Sequence, residues 1–332
     1  MYPASTIHRY LKWNKETNEF GLNERCKCKA EFIIVDEVSM IDTNLLASLF
    51  KALKKDVKLV FIGDYNQLES VGPGKVLKDL IDSDVINTIF LKEIYRQDEN
   101  SYITNLAYEV NKGELSESFL TKKDDYNFIK CSDNDILKAT CDVAKMAINK
   151  GYDIKNVQVL APVYKGINGI DNLNKVLQSI FNPKSDDKNE VYDLDVVYRE
   201  HDKVLQLENM IDDNVFNGDI GFIEKIENNV ITVDFDGNKV KYQKKDYKAI
   251  KHGYAISVHK SQGSEFDIVI MPITQSYKMM LYKKIVYTGI TRAKKSLILI
   301  GDPLAFQKSI YQGINKERNT NLKKLILDNI SA

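Results

Sequence analysis

The chain has 332 residues, 47 Lys and Arg against 47 Asp and Glu for a formal net charge of +0, and a hydrophobic content of 43%. At roughly 150 residues per domain, that is enough for two or more domains with cores of their own, which argues against disorder. With 28% charged residues and no apolar run near the roughly 18 residues that cross a bilayer, a membrane-spanning helix is excluded, and the opening MYPASTIHRY does not read as a secretory signal.

The first strand expected is Phe32-Ile33-Ile34-Val35, an all-apolar run ending at Asp36-Glu37, as in a parallel strand buried on both faces. A helix follows, capped by Asp42 or Thr43, with Leu46, Leu49, Phe50 and Leu53 at helical spacing. A second strand, Lys58 to Ile62, ends at Gly63-Asp64, and a third is expected around Thr88 to Leu91, running towards Tyr95-Arg96. Strands alternating with helices, each delivering polar residues at its carboxyl end, describe an α/β domain whose ligand lies along that edge.

A second α/β unit is expected from Tyr126, with a strand at Val157–Leu160, a helix whose apolar face is Ile170, Leu173, Leu177 and Ile180, and later strands at Ile268–Met271 and Leu297–Ile300. Between about Val191 and Ala249 the texture changes to short alternating strands. Ile231, Val233 and Phe235 are expected to point inward, Thr232 and Asp234 outward, and Asp236-Gly237-Asn238 suits a tight hairpin. This region reads as a small antiparallel barrel inserted into the second α/β domain.

Zero net charge conceals a segregation. Residues 182–236 carry 5 basic and 15 acidic side chains, net −10, whereas residues 244–295 carry 11 basic and 3 acidic, net +8. A basic surface suited to nucleic acid is therefore available. The four cysteines, Cys26, Cys28, Cys131 and Cys141, form no C-x-x-C pair, so neither tetrahedral zinc nor a dithiol site is expected, and reduced cytoplasmic thiols are.

Several short motifs carry chemistry. Asp36-Glu37 at a strand end suits a Mg²⁺ ligand followed by a general base that polarises water, although two acids there are more often solvated loop residues. In Gly63-Asp64-Tyr65-Asn66-Gln67-Leu68 the glycine permits close backbone approach and Gln67 can donate to a γ-phosphate; alone it would be a Gly-Asp turn. Arg96, in Ile94-Tyr95-Arg96-Gln97, and Arg292, in Tyr287-Thr288-Gly289-Ile290-Thr291-Arg292-Ala293, are candidate arginine fingers, though a lone arginine usually decorates a surface. The block Gly253 to Phe266, rich in short donors, could serve a nucleic-acid phosphate and a nucleotide ribose, or merely cap the next helix.

Together these blocks resemble, in order, motifs II to VI of superfamily 1 helicases: Asp36-Glu37-Val38-Ser39-Met40, Gly63 to Leu68 with Ser70-Val71-Gly72-Pro73-Gly74, Tyr95-Arg96-Gln97, Gly253 to Glu265, and Tyr287 to Ala293. The variants are similar to those of the RecD-type helicases, the exodeoxyribonuclease V α subunit and its stand-alone relatives. Thr6-Ile7-His8-Arg9 resembles the stretch following motif Ia there.

The resemblance implies tandem RecA-like P-loop NTPase domains with an inserted SH3-like β-barrel. Residues 1–125 would be a truncated first domain, 126–190 with 250–332 the second, and 191–249 the barrel. It implies an ATP-driven motor moving 5′ to 3′ on single-stranded DNA in repair or recombination, with nuclease–helicase complex subunits as partners and no membrane association. ATP and Mg²⁺ would be its cofactors. Asp36 would bind Mg²⁺, Glu37 would activate water, and Gln67, Arg96 and Arg292 would sense the γ-phosphate. Gln262 and Gly263 would lie near the phosphates and Glu265 near the ribose. Thr6, His8, Ser257, His259, Lys260 and Ser261 would face DNA.

Two departures stand out. Glu69 occupies a position where the family usually has proline. No G-x-x-x-x-G-K-[ST] loop occurs in these residues, and Gly72-Pro73-Gly74-Lys75 lacks the required first glycine. Without such a loop triphosphate has no cradle. Two readings follow: part of a longer helicase whose parent hydrolyses ATP, or a non-catalytic DNA-binding or complex-forming module derived from one. Retention of Asp36, Glu37, Arg96 and Arg292 favours the first.

Overall fold

The computed structural model describes residues 4–14, 16–91, 101–311 and 318–330. The chain forms two compact units, residues 1–94 with 315–332, and residues 95–314. This division falls some thirty residues before the boundary expected at residue 125. Ser101 Oγ donates to Asp125 at 2.7 Å and the Tyr102 ring lies tilted, 4.9 Å from that of Tyr126, which ties this segment to the second unit.

In the first unit a short helix α1 (Ile7–Tyr10) leads into a hairpin, β1 (Trp13–Asn14) and β2 (Glu19–Phe20). Then come β3 (Phe32–Val35), α2 (Thr43–Ala52), β4 (Lys58–Phe61) and α3 (Val76–Asp82). Asp42 is the N-cap of α2, accepting from the Leu45 amide at 2.8 Å. β3 and β4 pair in parallel, Phe32 opposite Lys58 and Val35 opposite Phe61. Val35, Leu46, Leu49, Val76 and Leu80 share one core, joined by Leu322 and Ile326 of the C-terminal helix Leu322–Ile330.

The expectation that β3 is buried on both faces fails. Val35 is buried, but Phe32 and Ile34 are 55% and 58% exposed, with Val60 beside Ile34 on the same face. Among the described residues helices cover one side of this strand pair, so alternation of exposure replaces uniform burial. The third strand is also absent: residues 88–91 have no regular structure, and Ile89 and Leu91 face solvent.

The second unit begins with α4 (Tyr102–Lys112), β5 (Tyr126–Lys130), α5 (Ile136–Asn149), β6 (Val157–Ala161) and α6 (Ile170–Phe181). The inserted region follows: β7 (Glu190–Asp193), β8 (Val196–Arg199), β9 (Lys203–Gln206), β10 (Ile220–Glu227), β11 (Val230–Phe235), β12 (Asn238–Tyr242) and β13 (Ile250–His252). The chain then completes its α/β layer with β14 (Ala255–Ser257), β15 (Phe266–Ile273), α7 (Lys283–Ile290), β16 (Ala293–Gly301) and α8 (Pro303–Tyr311). The five α/β strands run parallel in the order β14-β6-β15-β16-β5. Every residue of β6 is buried, as a central parallel strand requires.

The insertion is an antiparallel sheet ordered β12-β11-β10-β9-β13, with β7–β8 as a separate hairpin. Ile231, Val233 and Phe235 enter its core while Thr232 and Asp234 stay half-exposed, as the alternation predicts. The hairpin turn places Asp236 at φ 51° and Gly237 at φ 94°, closing Phe235 onto Asn238. These strands extend the region slightly beyond 191–249, to Glu190 and His252.

Lys203 in β9 is wholly buried, and its ammonium donates to the carbonyls of Ile154 at 3.2 Å and Val157 at 3.0 Å, linking the insertion to the α/β layer. Burial pulls its pKa down to about 7, with Asp153 opposing weakly. Unfolded lysine titrates near ~10.4, so between these values the unfolded chain binds the extra proton and stability rises with pH. Cys131 and Cys141, whose thiol pKa values burial raises, act in the opposite direction once the unfolded thiols ionise. The wild type should therefore gain stability relative to Lys203→Met as pH rises from 7 to 9.5, by about 1.4 kcal/mol per pH unit at most. Parallel melting curves check this; a pH-independent difference between the two proteins would refute it.

Candidate functional site

In the first unit two loops meet at the carboxyl ends of β3 and β4. The Ile62 amide donates to Val35 O at 2.9 Å, and the Val38 amide donates to Ile62 O at 3.0 Å, which fixes the turn containing Asp36 and Glu37. Asp36 is exposed and its Oδ1 accepts from the Glu37 amide at 2.8 Å. Glu37 is half-buried at φ 52°, a left-handed conformation that costs a non-glycine residue of order 1–3 kcal/mol and recurs at functional sites. Gly63 lies against this turn: a Cβ there would stand 3.1 Å from the Val38 nitrogen and 3.2 Å from that of Ser39.

Gln67 follows in a tight turn, its amide donating to Asp64 O at 3.2 Å, and its side chain is buried. Gln67 Oε1 and Ser39 Oγ are both buried without a hydrogen-bond partner among the described residues. Such atoms call for an explanation in a folded protein. Ser39 stood within the Asp36–Met40 box, but nothing in the sequence singled its hydroxyl out, because its burial depends on tertiary packing. Thr6 caps α1, its Oγ1 accepting from the Arg9 amide at 3.3 Å. His8 packs its ring 6.1 Å from Trp13 and 5.7 Å from Phe20; partial desolvation lowers its pKa, against the raising effect of Asp42. Arg96 lies outside the described residues.

The second unit gathers the other candidates. Arg292 is buried; its guanidinium donates to Ser264 O at 3.1 Å and to Thr288 O at 3.3 Å, and the Phe266 amide returns to Arg292 O at 2.9 Å. Gln262, Gly263, Ser264 and Glu265 thus sit in one assembly with Arg292. Gln262 is nearly buried, Gly263 adopts φ 76°, and Glu265 pairs with Lys294 at 3.1 Å.

The block that follows β14 is more inward-facing than its donor content suggested. Ser257 is buried and caps a short turn, accepting from the Lys260 amide at 3.3 Å, while Ser261 is fully buried and donates to Val258 O at 2.8 Å. In this structure both hydroxyls build the turn. His259 and Lys260 are half-exposed, and the Lys260 ammonium, its pKa lowered by partial burial, donates to Asn217 Oδ1 of the insertion.

A family model described as an AAA domain matches residues 1–134, one described as the ATP-dependent RecD-like DNA helicase SH3 domain matches 173–235, and one described as the UvrD-like helicase C-terminal domain matches 252–300. Three successive family models and the relatives below make the chain similar to the RecD-like helicases. Its α/β fold is that of RecA-like helicase domains with an SH3-like insertion.

The chain is 32% identical over 304 residues to the ATP-dependent RecD2 DNA helicase of Deinococcus radiodurans, covering 92% of this chain and 41% of that protein. It is 27% identical over 386 residues to the RecBCD enzyme subunit RecD of Haemophilus influenzae, covering 98% and 59%. It therefore spans about two-fifths to three-fifths of these relatives. Among solved structures the Pif1 helicase from Candida albicans shares the fold, with TM-score 0.50 and 16% identity over 91% of this chain and 76% of that one.

The loop contact gives a direct test. Gly63→Ala forces its Cβ against backbone and against Leu77 Cδ2 at 2.9 Å, so it should destabilise the first unit by about 1–3 kcal/mol. Denaturant unfolding checks this, with Gly113→Ala as a comparison site where the added methyl meets no atom within 4 Å but still carries a φ of 76°.

Proposed function

We propose that this chain is the portion, carrying motifs II to VI, of an ATP-dependent 5′ to 3′ DNA helicase that translocates on single-stranded DNA in cytoplasmic DNA repair or recombination. The observation that carries the reading is the meeting of the Asp36-Glu37 turn with the Gly63–Gln67 loop at the carboxyl edge of paired parallel strands, where α/β proteins hold their ligands. Gln262, Gly263, Glu265 and Arg292 gather separately within the second unit, where this reading gives them nucleotide contacts of their own.

The residues fit Mg²⁺ and ATP in part. Mg²⁺ takes one or two carboxylates and completes its shell with phosphate oxygens and water, so an exposed Asp36 is a sufficient protein ligand. Ser39 Oγ and Gln67 Oε1 are unpartnered polar atoms close to the same turn in sequence and fold. Bound Mg²⁺ would neutralise charge developing on the phosphates. Glu37 would orient and deprotonate the attacking water, Gln67 would read the terminal phosphate, and Arg96 and Arg292 would stabilise its charge. The phosphate cradle itself is not among these residues.

Without the cradle, the 332-residue chain should show no DNA-stimulated ATP hydrolysis above background, whereas a version joined upstream to a P-loop segment should hydrolyse ATP and lose that activity in Glu37→Gln. Turnover by the short chain that Glu37→Gln abolishes would overturn this. The absent P-loop sequence also favours a second reading, a non-catalytic DNA-binding or complex-forming module such as a subunit beside a nuclease. That reading predicts an inactive extended version.

For DNA, Thr6, His8, Ser257, His259, Lys260 and Ser261 mark the segments proposed to follow the strand, with the basic stretch 244–295 supplying phosphate contacts. Binding should be weak, nearly sequence-independent and steeply weakened by salt, as counterion release requires. Lys260→Ala should flatten the log–log salt slope by about one unit in anisotropy titrations. A salt-insensitive affinity would exclude a phosphate-led interface.

A further inference from the structure

The loop after Gln67 is held by a residue almost 250 positions later in the chain. Arg318 is half-buried and its guanidinium donates to Gly72 O at 2.6 Å, Gly74 O at 2.9 Å, Ser70 O at 2.6 Å and Ser70 Oγ at 3.4 Å. Ser70 Oγ itself donates to Gly72 O at 3.1 Å. On its other side the loop presses on the start of α2: a Cβ at Gly72 would overlap the Asp42 carboxylate, one at Gly74 the Thr43 hydroxyl, and the Thr43 amide donates to Pro73 O at 2.9 Å. The loop is thus clamped between the Asp42–Thr43 cap and a planar fork of donors.

We propose that Arg318 is a positioning residue for the loop Leu68–Gly74, and through it for Gln67. Three carbonyls of a glycine-rich turn converge on one guanidinium, whose rigid geometry no single backbone amide or ammonium reproduces. The adjoining segment is anchored independently. Thr320 Oγ1 donates to the buried Asp79 carboxylate at 2.5 Å, and Leu322 and Ile326 enter the core of the first unit. Arg318 is therefore delivered to the loop by a docked helix.

That Gln67 reads a phosphate belongs to the preceding proposal; the hold of Arg318 on the loop can be measured without nucleotide, so each can fail alone. Hydrogen–deuterium exchange on the full 332-residue chain should show the Glu69–Gly74 amides exchanging at least tenfold faster in Arg318→Ala, with α2 and α3 amides unchanged. Added methylguanidinium should restore protection. Arg318→Lys should give a smaller acceleration of threefold or more, and it decides the question should the alanine variant not fold. Thr320→Val, which removes only the Asp79 contact, should leave the loop protected. Unchanged loop exchange in both arginine variants would overturn the proposal, as would acceleration spread evenly over the first unit that methylguanidinium does not reverse, or equal loop exposure in Thr320→Val.

Discussion

At Gly63 the lack of a Cβ lets the end of one parallel strand lie against the Val38 and Ser39 amides that follow its neighbour. The candidate site of the first unit depends on that approach. Strand pairing sets Val35 beside Phe61, and the bonds from Ile62 to Val35 and from Val38 to Ile62 continue the pairing beyond the strands. The chain must then turn sharply, and Glu37 takes the left-handed conformation. The strain is local and is offset by backbone bonds on both sides of it. Asp36 and Glu37 are consequently aimed by main-chain geometry, which is more rigid than side-chain packing.

In the second unit the corresponding constraint is a pair of adjacent buried charges. Asp202 is fully buried and accepts from Gln178 Nε2 at 2.7 Å, Asn182 Nδ2 at 2.8 Å, the Arg199 amide at 2.7 Å and Tyr254 OH at 2.9 Å. A buried carboxylate is tolerated only when so fully satisfied. Its donors come from α6, from β8 and from the segment entering β14, so one carboxylate joins the insertion to the α/β layer on both sides. Lys203, next in sequence, donates to carbonyls, and its charge is the one that burial disfavours, Asp153 opposing.

Much of this was legible in the sequence. The alternation at Ile231–Phe235 and the Asp236-Gly237 turn determine a local structure that no distant contact overrides, and the strands expected at Val157–Leu160 and Ile268–Met271 are present as β6 and β15 in the parallel sheet. β3 was expected to be buried on both faces and is not, because uniform hydrophobicity states what a strand can bury and not what lies on each side of it. Thr88–Leu91 misled for a related reason: β propensity without a pairing partner makes no strand. The compact units divide well before residue 125 because Asp125 accepts from Ser101 and the Tyr102 and Tyr126 rings lie together, contacts without sequence periodicity. Arg318, amid the polar stretch 315–321, carried no signal at all, since its role is defined by carbonyls nearly 250 residues away.

The charge pattern shows how far composition carries an electrostatic argument. The segment 244–295 is strongly basic on paper, yet Lys294 pairs with Glu265, Lys295 with Asp267 at 2.9 Å and Lys251 with Asp171 at 3.6 Å, while Arg292 is buried among carbonyls. Exposed pairs of this kind are each worth about 0–1 kcal/mol and dissolve readily when a stronger anion competes. A polyanion therefore need not find free lysines: exchanging Asp267 or Asp171 for a phosphate costs little, and the released carboxylates remain hydrated. What such pairing removes is local net charge, and with it part of the long-range attraction that operates at low salt. The insertion reaches Lys260 through Asn217, whose amide oxygen accepts a charge-assisted hydrogen bond from the ammonium, so this contact holds the cation without cancelling its charge.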